Sequence, residues 1–473
     1  VGRAARNGMR LTVSILLAVV AAVLLPMIAQ LSNNRILPEK LAIAVDLMGW
    51  DGLMNVTREN IATRLLGHKK TSSREAYHSL LNTLAEVDLK YLGPERAVIS
   101  PDDIAEGHRM INHLLRTGME FYVEQSPKHP KLRRYVSPTR KLMGDNPDAL
   151  YYFAPIDIQA TSNKGYVIKG RRHPDEVYFS ITLYGANTFA GFADRVIGEM
   201  NDRKLIPSAP PHSEKNTSSG VNDGGDASYY FELYITPERP VGSRNWLRLT
   251  PNVTCVITRH YFERVGTPAA VDPTVERRID MSISNLGLNA GAQPQSPLPD
   301  LEMSQRLKLV EEFVRERTVG RPKQDPTKAP PWFSFQPNTI GKPAMWGGEG
   351  NNDDGGMGAV DIAYAAGFFK LEEGQSIELT GKIPKCAFAN VVLWNRFLQS
   401  LDYEHRAVSL NRKQMTLSTE GTYKILLSSA PPNNSSWDWL DSENRKGGII
   451  FWRFILPTED IETPQIRIIE AAD

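Results

Sequence analysis

The residues best placed to do chemistry stand in one stretch, Gly144-Asp145-Asn146-Pro147-Asp148-Ala149-Leu150-Tyr151, which brings two carboxylates, an amide and a phenol together. Asn146-Pro147 favours a turn, and Asp148 can cap the element after it. Two readings are open. Asp145, Asn146, Asp148 and Tyr151 line a ligand or partner site against the next sheet, or they form a turn-and-cap device that seats a helical segment on it. Asp361 and Tyr364 repeat the Asp-x-x-Tyr spacing without the turn. A position present twice is more readily explained by folding than by one active site.

Trp394 and Trp437 offer an aromatic surface for glycan or protein contact, whereas Trp246 and Trp439 read as core anchors. Gly347 to Gly356 is rich in hard oxygen ligands and approaches a calcium-binding turn, with Asp353 and Asp354 as candidate ligands. Asn352 stands where that repeat carries Asp, and the motif occurs once. No other cofactor is expected. His108 and His113 are turned about 140° apart on a helix, so they share no face and read as solvent-facing. His260, beside Arg259, reads as a hydrogen-bonded residue at the core edge. There is no phosphate-binding loop, no Gly-x-Ser-x-Gly elbow, no His-Glu-x-x-His and no dinucleotide fingerprint. No catalytic residue is assigned.

The elements that position these residues have their own signals. Ser72-Ser73-Arg74-Glu75 has capping-box spacing, and Tyr77, Leu80, Leu81, Leu84 and Val87 come after it on one helical face. Ser100-Pro101-Asp102-Asp103 opens a second helix, with Ile104, Ile111, Leu114, Leu115 and Met119 as its stripe. From Tyr151 the period changes to two. Val177, Phe179, Ile181 and Leu183 alternate with Tyr178, Ser180, Thr182 and Tyr184, which predicts a half-buried strand. Leu301 to Arg317 reads as a charged amphipathic helix.

Two β-rich stretches read as copies of one unit. Asp148–Tyr151 matches Asp361–Tyr364, Gly170 matches Gly381, and the strand from Val177 matches that from Ala387. Asn245-Trp246-Leu247 matches Asp438-Trp439-Leu440, and Arg259 matches Arg453. Thr274–Asp280 is set against Pro464–Glu470 as the last strand. The predicted fold class is α+β, mainly β: two tandem antiparallel β-sandwich or jelly-roll lobes, a helical segment and one N-terminal transmembrane helix. The predicted boundaries are 1–36 for a cytoplasmic tip and anchor, 37–147 helical, 148–288 first lobe, 289–358 connector and 359–473 second lobe.

With Ser137-Pro138-Thr139-Arg140-Lys141 upstream, the string Gly144–Tyr151, Asn245–Leu249, Asp438–Ser442 and Ile449–Phe454 resembles the bacterial domain-of-unknown-function family 1214 over roughly residues 70 to 473. The resemblance implies a β-sandwich or jelly-roll fold with a helical segment. It carries no established reaction, so no catalytic residue transfers. One departure is Glu443-Asn444-Arg445-Lys446-Gly447, where the family has a Gly-His-Arg-type turn; any activity that depends on that His is in doubt here.

Lys plus Arg is 55 and Asp plus Glu 54 in 473 residues, with no run of five or six charges of one sign, which argues against nucleic acid as a partner. The two cysteines, Cys255 and Cys386, read as small buried hydrophobes, with an inter-lobe disulfide as the alternative. Residues 11–31 are uncharged and 21 long, close to the ~20 that span a bilayer, and come after Arg3, Arg6 and Arg10. They predict an uncleaved anchor in membrane lipid, N-terminus cytoplasmic, with the rest in the periplasm or its equivalent. The expected function is a non-catalytic accessory subunit contacting other subunits of a membrane complex; the alternative is an envelope glycan-binding or glycan-active protein. A chain so anchored sediments with membranes and is released by detergent but not by high salt; release by salt alone would contradict the anchor.

Overall fold

A computed structural model describes residues 69–186, 194–209, 228–289, 297–323, 325–346, 358–432 and 436–470. The chain divides into two units, Val1–Glu75 and Ala76–Asp473. Of the first, only residues 69–75 are described; there the Thr71 hydroxyl, not Ser72, accepts the Arg74 amide at 3.2 Å and opens the first helix. Among the described residues no helix is long and apolar enough to cross a membrane. Residues 11–31, and Asp353 and Asp354, lie outside the described residues.

Among the described residues three long helices precede or join the sheets: α1 (Ser72–Glu86), α2 (Pro101–Gly118) and α3 (Asp300–Arg317). Ser100 caps α2 as its sequence predicts, accepting the Asp103 amide at 3.0 Å. On α1 the buried face is rotated from the expected one. Ala76, Leu80, Thr83 and Val87 are inside, while Tyr77 and Leu81 are exposed. The reason is polar: the Thr83 hydroxyl donates to Glu311 of α3 at 2.9 Å, and Glu86 pairs with Arg315 at 2.8 Å.

Setting aside two-residue strands, each copy contributes eight strands among the described residues. The first lobe holds β1 (Ala149–Pro155), β2 (Tyr166–Arg172), β3 (Tyr178–Gly185), β4 (Arg195–Asn201), β5 (Tyr229–Thr236), β6 (Asn245–Arg248), β7 (Val253–Tyr261) and β8 (Asp280–Asn285). The second holds β9 (Ile362–Lys370), β10 (Gln375–Lys382), β11 (Phe388–Trp394), β12 (Ser409–Asn411), β13 (Thr422–Ser428), β14 (Asp438–Asp441), β15 (Gly447–Ile455) and β16 (Gln465–Glu470). The inner sheets run β1-β7-β3-β4 and β9-β15-β11-β12; the outer sheets run β6-β5-β2-β8 and β14-β13-β10-β16. The repeat is therefore one of topology. The pairing between these strands is antiparallel except for β5 with β6 and β13 with β14, which are parallel. That parallel pair departs from the purely antiparallel lobes expected. The last strand of the first copy is also corrected. Asp272 caps a helical turn, Pro273–Glu276, and the strand begins only at Asp280.

The repeat extends to side chains. The Trp246 indole Nε1 donates to the Thr236 carbonyl and hydroxyl at 3.2 and 3.0 Å, and Trp439 does the same to Ser428 at 3.3 and 3.1 Å. Both tryptophans are half-buried clips on the short parallel strands. β3, expected to be half-buried, is buried along its whole length. Phe179, Ile181 and Leu183 pack into the first lobe's own core, while Tyr178 and Tyr184 enter a core shared with the second lobe and the helices. The sequence pattern reports one lobe; the other lobe covers the second face.

Two aspartates cross that shared core in opposite directions. Asp148, ahead of β1, accepts from Asn411 and Asn390 of the second lobe, each at 2.9 Å. Asp361, ahead of β9, accepts from Tyr178 and Asn201 of the first at 2.6 and 2.9 Å. Strand register makes Asn201 and Asn411 equivalent: Ser180 pairs with Asn201 and Asn390 with Asn411, each beside its lobe's arginine. Cys255 and Cys386 are both free, so no disulfide joins the lobes. Replacing Asp148 with Ala strands two buried amide donors and is expected to cost about 2–4 kcal/mol, read from urea unfolding. A cost below that of an ordinary surface substitution would contradict the cross-lobe role.

Candidate ligand-binding site

Between the inner sheets and α3 lies a cavity of ≈470 Å³. The repeat builds it. In the first lobe Tyr151 stands beside Arg259 in register; in the second, Tyr364 stands beside Arg453. All four side chains line the cavity. The phenols of Tyr151 and Tyr261, on neighbouring strands of one sheet, lie 3.3 Å apart in its wall.

The two arginines are equivalent in position but not in environment. Arg259 donates to the Thr182 hydroxyl at 3.1 Å and to the Tyr184 hydroxyl. The register places Val392 where Thr182 stands and Trp394 where Tyr184 stands. Neither offers an acceptor. Arg453 therefore turns one nitrogen to the backbone, with Nη2 donating to the Gly144 carbonyl at 2.8 Å. Its Nη1 is buried with no hydrogen-bond partner, and the residue is 3% exposed. Among the described residues no carboxylate pairs with it. The guanidinium lies 5.0 Å from the Trp394 ring centre and 4.7 Å from that of Phe451. Those rings stack at 4.0 Å.

Aromatic side chains make the rest of the wall. Trp332 meets Trp346, Tyr364 and Phe451 with ring centres 5.9, 5.7 and 5.9 Å apart. Its indole Nε1 is a second buried donor without a partner. The cavity is partly open, and the carboxylates Asp194 and Glu316 also stand in its wall; a concave, largely aromatic space with a few uncommitted donors is the usual form of a small-molecule site. A buried guanidinium with no counter-ion is costly, and a bound anion removes that cost.

The residues singled out in the sequence separate here. Asp145, Tyr151 and Trp394 line the cavity; Asp148 does not. Burial pushes the Asp145 carboxyl up, and both its oxygens are committed to Ser400, through the amide at 2.8 Å and through the hydroxyl. Asn146 accepts the Asp148 amide at 3.0 Å and the Asn390 side chain at 2.9 Å. The polar groups of Asp145, Asn146 and Asp148 are thus bonded within the fold, and of the four Asp145 and Tyr151 stand in the cavity wall. Trp394 is buried, not a surface platform; Trp437 is half-buried with the Lys424 ammonium 3.9 Å above its ring. His108 is exposed and meets Asp88 at 2.7 Å, but His113 is buried and held down to about 4 by that burial, contrary to the solvent-facing expectation. His260 is hydrogen-bonded, to Glu176 at 2.6 Å and Thr258 at 2.9 Å. Asp402, Glu404 and His405 bring potential metal-ligand atoms within 4.8 Å of one another, on the surface and with nothing else to indicate an ion.

The repeat pairs Arg259 with Arg453, and it also carries the signal of the site: Thr182 and Tyr184, the oxygen-bearing neighbours of the first arginine, correspond to Val392 and Trp394 beside the second. Trp332 and Arg321, which also line the cavity, carry no local signal, because they converge on it only through the fold.

No protein-family profile and no curated protein matches this chain. Among solved structures, an uncharacterised protein from Burkholderia cenocepacia is 22% identical, with a TM-score of 0.62 over 87% of this chain and 99% of that one. A protein from Vibrio parahaemolyticus is 13% identical, with a TM-score of 0.43 over 77% and 98%. The first shares the fold.

Two seam carboxyls, Glu199 and Asp148, are pushed into an accessible range. Both oxygens of Glu199 are enclosed without a partner, as is Asp361 Oδ1. Burial, then the charge of Asp361, pushes Glu199 up to about 7. Protonated, Glu199 can donate to Asp361; ionised, the two carboxylates repel. The equivalent residue in the second lobe is the neutral Ser409. Unfolded, the Glu199 carboxyl titrates near 4.5, so between there and about 7 the folded chain keeps a proton that the unfolded chain releases. Stability therefore falls as pH rises through that window. Burial raises Asp148 to about 6, with the same sign. Glu199→Gln should flatten the fall in melting temperature; an unchanged slope would contradict this assignment.

Proposed function

We propose that this chain is a non-catalytic binding protein that holds a small organic anion between its two lobes, with Arg453 as the counter-charge. The observation that carries the reading is the buried, unpaired Nη1 of Arg453 in a cavity wall. Its repeat equivalent is satisfied by Thr182 and Tyr184, so the loss of those acceptors in the second copy frees one specific donor. The aromatic wall around Trp332 suits an apolar body behind the anionic head. Calcium at Asp353 and Asp354 has no part in this reading.

The setting comes from the sequence. Residues 11–31 read as a tether, which would hold the lobes on the outer side of the cytoplasmic membrane beside other subunits. An accessory subunit of a membrane complex that carries or senses an anion fits the tether and the cavity together. The glycan reading has less support, since Trp394 is withdrawn into the cavity wall and both Asp145 oxygens are committed to Ser400.

The test is thermal stabilisation of the full chain in detergent by small aromatic and aliphatic carboxylates, each beside its neutral methyl ester. Carboxylates should stabilise and esters should not, with about a tenfold loss of affinity in Arg453→Gln. Because that variant also releases the Gly144 carbonyl, a second one is informative. Val392→Thr with Trp394→Tyr returns the first lobe's acceptors to Arg453, and should weaken carboxylate binding without unfolding the chain. Equal stabilisation by acids and esters would overturn the proposal.

A further inference from the structure

A second chamber, of ≈430 Å³, adjoins the first: the two share Met143, Arg321, Pro322 and Leu398 in their walls. Its other basic lining residues are mostly occupied. Arg96 donates to the Arg321 and Pro322 carbonyls at 2.5 and 3.4 Å, Arg396 pairs with Asp103 at 2.8 Å, and Lys323 reaches Glu95 at 3.9 Å. Arg321 is different. Its guanidinium finds only the Met143 sulfur, at 3.9 Å, a weak acceptor, and no carboxylate pairs with it among the described residues. It is half-buried on the shared wall, so it faces water less than a surface arginine does.

We infer that the two chambers form one elongated site for an organic dianion, a dicarboxylate with an apolar spacer, with Arg453 binding one carboxylate and Arg321 the other. This rests on the proposed anion site at Arg453. The arrangement is two arginines that no carboxylate pairs with among the described residues, one deep in the aromatic chamber and one at its junction with the next, in a wall that also carries Asp145, Asp194 and Glu316. Between them the shared wall is Met143, Pro322 and Leu398, which has no side-chain group to satisfy a polar spacer. A monoanion leaves Arg321 unmatched; a diacid of the right length matches both charges and places methylenes or a ring against the apolar wall. Arg321 is held where it stands by its backbone, whose amide donates to the Thr318 carbonyl at 3.1 Å just beyond α3. Its side chain is otherwise unrestrained, as an adaptable anchor would be.

The experiment titrates the full chain in detergent with linear dicarboxylates from adipate to dodecanedioate, each beside its monomethyl ester, by calorimetry. Beyond a threshold length the diacid should bind about tenfold tighter than its own monoester. Arg321→Gln should collapse that ratio toward one, whereas Arg453→Gln should weaken both ligands. Lys323→Gln, a charge change on the same chamber, should leave the ratio intact and controls for general electrostatics. If monoesters bind and diacids bind no better at any length, the dianion inference fails and the anion site stands. If neither binds the wild-type chain, the Arg453 reading itself fails. If Arg321→Gln keeps the ratio, the second carboxylate is held elsewhere and the assignment of Arg321 is wrong.

Discussion

Each lobe extends one buried aspartate into the other, and the architecture depends on that exchange. Asp148 is bound by Asn390 and Asn411, and Asp361 by Tyr178 and Asn201. A carboxylate taken from water needs donors from somewhere. Here the donors lie across the lobe boundary, so neither inner sheet is satisfied alone. The exchange sets the inner sheets face to face, and this explains why β3 and β7 are buried on both sides. Stability and relative placement of the lobes come from the same bonds.

Facing the sheets brings equivalent registers together, and equivalence is what makes the cavity legible. Tyr151 and Arg259 meet Tyr364 and Arg453 because each pair sits opposite the other across the pseudo-symmetric boundary. The two arginine environments differ: one is closed by Thr182 and Tyr184, and the other has Val392 and Trp394 at those register positions. The seam has diverged as well: Glu199 faces Asp361 in one half, while Ser409 stands in the other. Divergence between copies is where folding requirements end and a separate demand on the chain begins.

Much of this was readable in the amino-acid order. The Asp-x-x-Tyr spacing, the two Trp-Leu strands, the glycines at 170 and 381 and the paired arginines mark the two copies because β-strand register tolerates little slippage when both faces are buried. The start of α2 was readable because capping chemistry is local. What failed to show were consequences of the partner lobe: the second buried face of β3, the burial of Trp394 and His113, and the rotation of α1 to satisfy Thr83 and Glu86. The candidate site was half visible. Tyr151 and Trp394 were named, but beside Asp145, Asn146 and Asp148, whose polar groups serve the fold. Arg453 was seen as a repeat marker and not as a charge without a partner, because pairing is decided by residues on β11 that are distant in sequence from β15.

The central claim is that Arg453 keeps an uncommitted donor for a ligand. The most direct measurement is a crystal structure of the full chain purified without added organic acids. The account predicts density for an anionic group within hydrogen-bond distance of Arg453 Nη1, with an apolar body against Trp332 and Phe451. Nη1 bonded to a protein oxygen, with only water in the cavity, would contradict it.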